Sequence, residues 1–304
     1  MKQVVRILFV LAALLPCPAA AHDSPEHVIQ ILTARMETIG ERPDLLWRRA
    51  TEHRVLGNLP AAATDLRRAI RLRRDYTAAW VDLGRVRLAQ GRHREARRTI
   101  EKLLASIPKD QDRAPVRMLK AEILMSAGDL ASALREAEAA IDSTAEPQLD
   151  WYLTRGDLQC RLGRFTEAAS GLRSGFERTG SAVLEVECLD AMIEGGQHDA
   201  ALAKVESELR EVRWRGSWLL RRARIAVARG EIASAHRDLG EAILEFNRRI
   251  NPAAPEPGLL TERGLASALL GDVTLARRDL AAARHAGADA IMLRRLELAL
   301  RSSR

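Results

Sequence analysis

Apolar positions along this 304-residue chain fall into two patterns. The first is one unbroken run, Ile7 to Leu15, set behind Lys2 and Arg6 and followed by Ala19, Ala20 and Ala21. A basic leader, an apolar stretch and small residues before a cleavage point predict an export signal over residues 1–21, leaving His22 as the first residue. The run is shorter than the roughly 20 residues of a spanning helix. No integral membrane segment is therefore expected after cleavage near Ala21, and the expected location is the periplasm or the extracellular medium. Lipidation at Cys17 would need a small residue before it, where Pro16 stands. In the second pattern, apolar residues alternate with Arg, Glu and Asp at helical spacing, as in Arg67-Arg68 and Arg71-Leu72-Arg73-Arg74.

A longer period overlies the helical one. Gly57, Gly91, Gly128, Gly163, Gly196, Gly230 and Gly271 follow one another at 34, 37, 35, 33, 34 and 41 residues. Five residues after each stands an alanine: Ala62, Ala96, Ala133, Ala168, Ala201, Ala235 and Ala276. Glycine tolerates the positive φ that ends a first helix, and alanine lets a second helix approach it closely. Each period is thus an antiparallel helix pair, and because one pair cannot bury its apolar stripe alone, neighbours must stack.

The segment Trp80, Leu83, Gly84, Gly91, Ala96, Ile100, Leu103, Pro108 resembles the tetratricopeptide repeat family in its order of large, Leu, Gly, small and Pro positions. Other units keep parts of the pattern: Leu46, Ala50, Ala62, Leu66 and Ala69; Tyr152, Gly156, Ala168 and Leu172; Leu260, Gly264, Ala276 and Leu280. The resemblance implies an all-α, right-handed superhelical solenoid of about seven repeats over residues 43–286. Residues 22–42 are expected to form an N-terminal capping helix, with Val28, Ile29, Ile31 and Leu32 against the first repeat. Residues 287–304 are expected to form a C-terminal capping helix and tail. Gly84, Gly156 and Gly264 share a mid-helix slot with Ala50, Ala121 and Ala223, where close packing offsets poor helix propensity; Leu189 departs from it in the fifth repeat, about residues 182–215. Two polar, proline-bounded links interrupt the array, Pro108 to Pro115 and Asn251 to Pro257, since proline cannot continue a helix.

The family binds proteins in a concave groove made by first helices. Carried onto this chain, the groove candidates are Trp47, Arg54, Arg85, Leu88, Met118, Glu122, Asp157, Arg161 and Arg224. Trp47 is a rigid anchor and the arginines are charge-assisted donors, so the partner expected is a protein or peptide with apolar and acidic groups, in an envelope complex for instance. The family's Lys and Asn clamp for acidic chain ends is not matched, because Arg85 lacks amide companions. Asp157, Glu185, Glu187 and Asp190 gather toward one edge if successive repeats run parallel; a cation, a basic peptide or plain solvation are the readings open there.

Composition narrows the function classes. With 47% hydrophobic but only 4% aromatic residues, the chain favours helix over sheet. Its 48 basic and 41 acidic residues give a formal charge of +7, and loss of Lys2 and Arg6 with the signal lowers it to +5. Both signs are interleaved and no nucleic-acid module is present, so nucleic acid is not an expected partner. The histidines show no paired metal-ligand spacing, and there is no nucleophile elbow, Walker motif or dinucleotide loop. No catalytic residue, metal or cofactor is therefore expected. The expected function is an exported scaffold or adaptor. An accessory role in envelope, membrane or polysaccharide assembly stands second, and a helical-repeat enzyme third. Cys160 and Cys188 fall about five residues out of axial register on neighbouring helices, which predicts two separate thiols rather than a bridge.

Overall fold

The computed structural model describes residues 24–107 and 112–302. The expected signal segment, 1–21, and most of the first proline-bounded link, 108–111, lie outside the described residues. Sixteen helices and no strand are found among the described residues. The chain divides into two compact units, Met1–Ile107 and Pro108–Arg304. The sequence reading had one uninterrupted array; the division falls at the first proline-bounded link.

In the first unit, α1 (Pro25–Ile39) precedes two hairpins, α2 (Pro43–Val55) with α3 (Leu59–Leu72) and α4 (Thr77–Ala89) with α5 (His93–Ser106). Leu32 and Met36 of α1 join Leu45, Leu46, Leu66 and Leu83 in one core, placed together by their i, i+4 spacing. Ile31, on the opposite side of α1, is 47% exposed.

The second unit holds five hairpins and a last helix. The pairs are α6 (Ala114–Ser126) with α7 (Leu130–Asp142), α8 (Leu149–Arg161) with α9 (Phe165–Thr179), and α10 (Ala182–Glu194) with α11 (His198–Glu211). Then come α12 (Gly216–Ala228) with α13 (Ile232–Arg249) and α14 (Pro257–Leu269) with α15 (Val273–His285), followed by α16 (Ala290–Ser302). A shared core runs from Ala114 to Leu259 across these hairpins, which is how a repeat buries a stripe it cannot cover alone. The fifth hairpin forms despite Leu189, which is itself buried.

The glycine and alanine register does what packing requires. The seven turn glycines have φ between 72° and 89°, and the seven alanines five residues on are all 0% exposed. At the mid-helix slot, a β-carbon on Gly156 would stand 2.9 Å from a methyl of Leu172, and one on Gly264 would stand 2.8 Å from Leu296 of α16.

A second register, in charge, lies over the first. Arg49 grips Asp65 through Nε at 2.7 Å and Nη2 at 2.8 Å, Arg222 grips Asp238 at 2.7 Å twice, and Arg263 grips Asp279 at 2.8 and 2.6 Å. In each pair the arginine stands eight residues before the turn glycine and the aspartate eight after it. The bidentate fork thus braces first helix to second at one level of the hairpin. Lys120 and Glu136 occupy the same two positions at 2.6 Å, and Arg155 donates to the Gly171 carbonyl at 2.8 Å.

Candidate functional site

The sequence-derived groove residues divide between the two units. In the first, Trp47 donates its indole N–H to Asp82 Oδ2 at 2.6 Å, tying α2 to α4, and meets Tyr76 edge-on at 6.1 Å between centroids. Arg85 approaches the other oxygen of Asp82 at 3.7 Å. Trp47 and Arg85 are therefore brought together through Asp82, a residue absent from the sequence reading. Arg54 is exposed near the end of α2, and Leu88 is half-buried on α4.

In the second unit, Met118 is 1% exposed and belongs to the core with Ala121 and Ala133, so it offers no surface to a partner. The helix α6 is covered on more than one side, so Met118 and its neighbour Leu119 are both buried. Glu122 is half-buried on α6. Asp157, Arg161 and Arg224, by contrast, converge in one ion-pair network.

The carboxylates of that network come from α8, α10 and α14. Glu187, Asp190 and Glu194 line one stripe of α10 because residues three and four apart share a helix face. Asp190 is buried and accepts from Arg221 Nη2 at 2.8 Å and from Arg224, with Arg295 Nη1 at 3.4 Å. Arg221 also reaches Glu262 of α14 at 2.9 Å. Burial alone would raise the Asp190 carboxyl, but Arg221, Arg295 and Arg224 together hold it well below the usual carboxylate range. Glu194 is likewise lowered: its burial is outweighed by Arg295, Arg294 and Arg224.

Asp157 is the exception. Its side chain is 1% exposed, with Arg161 Nε at 2.8 Å and Arg294 Nε at 3.1 Å, yet neither carboxylate oxygen has an aligned hydrogen-bond donor. Burial pushes its carboxyl up despite Arg161, Arg294 and Arg295. Of the four carboxylates grouped from sequence, Asp157, Glu187 and Asp190 do gather here; Glu185 pairs instead with Lys204 of α11 at 2.8 Å.

Three arginines of the network were not anticipated: Arg221 of α12, and two that come from α16. Leu293, Leu296 and Leu300 seat this helix on the last hairpin. Its neighbouring Arg294 and Arg295 turn the other way: Arg294 Nη2 reaches both oxygens of Glu194 at 2.9 Å, while Arg295 reaches Glu194 at 2.7 Å and Glu187 at 2.8 Å. Beside these pairs lies a cavity of about 300 Å³ bordered by Asp190, Leu220, Glu262 and Met292. Arg161 and Arg224 are consequently already engaged by carboxylates, which changes the expected partner chemistry on this face.

Cys160 and Cys188 are both free and buried, and the Cys188 thiol donates to the Ala169 carbonyl at 3.2 Å. Among the described residues no group of three or more His, Cys, Asp or Glu side chains could hold a metal ion, and no helix is long and apolar enough to cross a membrane.

Stacked helix hairpins presenting a charged first-helix face define a helical-repeat scaffold. Two stretches, residues 56–123 and 118–173, match models of the tetratricopeptide repeat. Residues 56–173 thus carry tetratricopeptide repeats, of a family whose members are in general non-catalytic scaffolds that bind proteins. It is 41% identical over 66 residues to the rat DnaJ homolog subfamily C member 3, a match spanning 22% of this chain and 13% of that protein's length. In fold it is similar to a tetratricopeptide repeat protein from Parabacteroides merdae, with a TM-score of 0.56 at 18% identity, covering 85% of this chain and 98% of that one. Pseudomonas aeruginosa PilF gives 0.53 at 17% identity, covering 68% of this chain and 90% of that one. The human IFIT1 dimer with PPP-AAAA gives 0.53 at 17%, covering 87% of this chain and 70% of that one.

Proposed function

We propose that this chain is an exported adaptor that holds a segment of another protein on the first helices of its hairpins, acting in the periplasm or outside the cell after cleavage near Ala21. The observation that supports binding on this face is that in the second unit it already holds a helix, α16, through paired arginines and carboxylates. Such a face has both the shape and the charge-assisted donors and acceptors that helix-in-groove recognition uses. In the first unit, Trp47, Asp82 and Arg85 form a smaller polar and aromatic cluster of the kind that anchors a partner.

A second reading, an accessory role in envelope, membrane or polysaccharide assembly, draws on a cavity of about 410 Å³ in the first unit. It is bordered by Arg67, Arg71, Arg87, Arg98, Lys102 and the Trp80 ring, with Glu95 as the one acid, and would suit anionic groups.

Crosslinking of the exported chain followed by mass spectrometry tests the adaptor. A defined protein partner whose yield changes at least fivefold in Arg85→Glu or Arg161→Glu, with helicity unchanged, supports it. A yield indifferent to both substitutions overturns binding on this face, and binding of anionic vesicles or polysaccharide without a protein partner favours the second reading. Intact mass of the exported chain should begin at His22; retention of residues 1–21 refutes cleavage.

A further inference from the structure

We propose that the carboxylates of α8 and α10 form a recognition site for two consecutive arginines on an amphipathic helix of a partner protein, and that α16 occupies this site as a resident competitor. The inference rests on the adaptor reading above and names the chemistry of the partner.

Charge balance carries the first part. The network contains five carboxylates, Asp157, Glu187, Asp190, Glu194 and Glu262, and three arginines that do not belong to α16, namely Arg161, Arg221 and Arg224. Without α16 the face therefore carries a charge of −2, on buried Asp157 and Asp190 and half-buried Glu187, Glu194 and Glu262. Arg294 and Arg295 supply the two missing charges. Like-charged carboxylates crowded around buried Asp157 and Asp190 repel one another, so the face favours a pair of cationic side chains from some source.

Two arginines adjacent in sequence do not share a helix direction, and this gives the site its selectivity. They diverge by about 100° on a helix, which lets Arg294 reach α8 and α10 together while Arg295 straddles Glu187, Asp190 and Glu194. A ligand must then present Arg-Arg set within a leucine stripe, as α16 does with Leu293 before the pair and Leu296 and Leu300 after it. Lysine would not serve equally, since Arg295 sets its two-pronged fork on Glu187 while Arg294 spreads Nε and Nη2 over two carboxylates, Asp157 and Glu194.

Asp157 marks where the resident helix fits imperfectly. Its carboxylate is buried and close to two arginines but lacks an aligned donor from either. A partner helix able to shift along its axis would align one, while α16 is held by its short connection to α15 over residues 286–289. That tether raises the local concentration of α16, so only a ligand of better fit displaces it.

The test uses the full chain and a fluorescent synthetic peptide copying residues 287–302. In wild type the resident helix should compete, whereas in Arg294→Glu/Arg295→Glu the face is vacated and the peptide should bind at least tenfold more tightly by anisotropy. The same peptide with both arginines changed to lysine should bind the variant at least fivefold more weakly. Cys160, which lies under Ile291 and Arg294, should label with maleimide at least tenfold faster in the variant, and the arginine peptide should restore protection. If circular dichroism shows that charge reversal costs the fold, Arg294→Gln/Arg295→Gln replaces it with the same expectation. Equal peptide affinity for wild type and variant, or equal affinity of arginine and lysine peptides, overturns the proposal. In that event a crosslinked partner sensitive to Arg161→Glu would leave the adaptor standing. Selective peptide binding with no crosslinked partner would keep the site and remove the adaptor.

Discussion

Replacing Arg263 by alanine strands the Asp279 carboxylate. That side chain is 1% exposed and both its oxygens accept from Arg263, at 2.8 and 2.6 Å, while Arg263 itself is 16% exposed. An exposed pair would be worth about 0–1 kcal/mol, but removing one member of a buried pair costs about 3–5 kcal/mol because the remaining charge has no solvent. The brace sits at a tight helix crossing: an added β-carbon on Gly264 would lie 3.0 Å from Asp279 Cβ. Arg263→Ala should therefore lower stability by about 3–5 kcal/mol. Replacing both partners, Arg263→Met with Asp279→Leu, should come within about 1 kcal/mol of wild type, because neither charge is then buried alone. Urea unfolding measures both, and amide exchange assigns the loss to α14 and α15. A single substitution costing under about 1 kcal/mol, or a double as damaging as the single, would refute the brace as an obligate buried pair.

Gly91 has φ 72° with open space around it, so Gly91→Ala isolates backbone strain and should cost about 1–2 kcal/mol, with Gly91→Asn costing less, read from urea midpoints. Glu194 is lowered on folding, so the stability it lends is complete above its unfolded pKa of about 4.3 and is lost as pH falls through its lower folded value. Asp190 acts in the same sense at still lower pH, whereas Asp157, raised by burial, acts in the opposite sense. Glu194→Gln should flatten the acid limb of the midpoint against pH; an unchanged slope would count against the pairing. Burial, with Glu194 nearby, pushes the Cys160 thiol up to about 11, so at about pH 8 its alkylation in the native chain should run more than tenfold slower than in the unfolded chain.

The scaffold was legible because backbone and packing constraints write themselves locally. A turn needing positive φ selects glycine, and a close helix crossing selects alanine five residues later, so the seven hairpins could be read directly. The arginine and aspartate brace was equally regular, eight residues either side of Gly57, Gly230 and Gly271, but glycine spacing alone does not draw attention to charge. Met118 was misplaced because first helices bury residues on more than one side. The pairing of Arg294 and Arg295 with α10 carries no local signature at all: periodicity places both on a terminal helix, and only the fold brings them to Glu187 and Glu194.

In an array of hairpins, contacts join neighbours, and order can spread from any point or be lost from either end. The bonds from Arg294 and Arg295 to α10 join residues 100 to 108 positions apart, closing a loop over α10 to α16. Closure of so long a loop costs only a little more than closure of a short one, since the penalty grows with the logarithm of length. Its kinetic effect is larger. These hairpins cannot complete their pairing until the last helix has been made, so a nearest-neighbour array acquires a late, nonlocal step, and the C-terminal end cannot fray without loosening the middle of the unit.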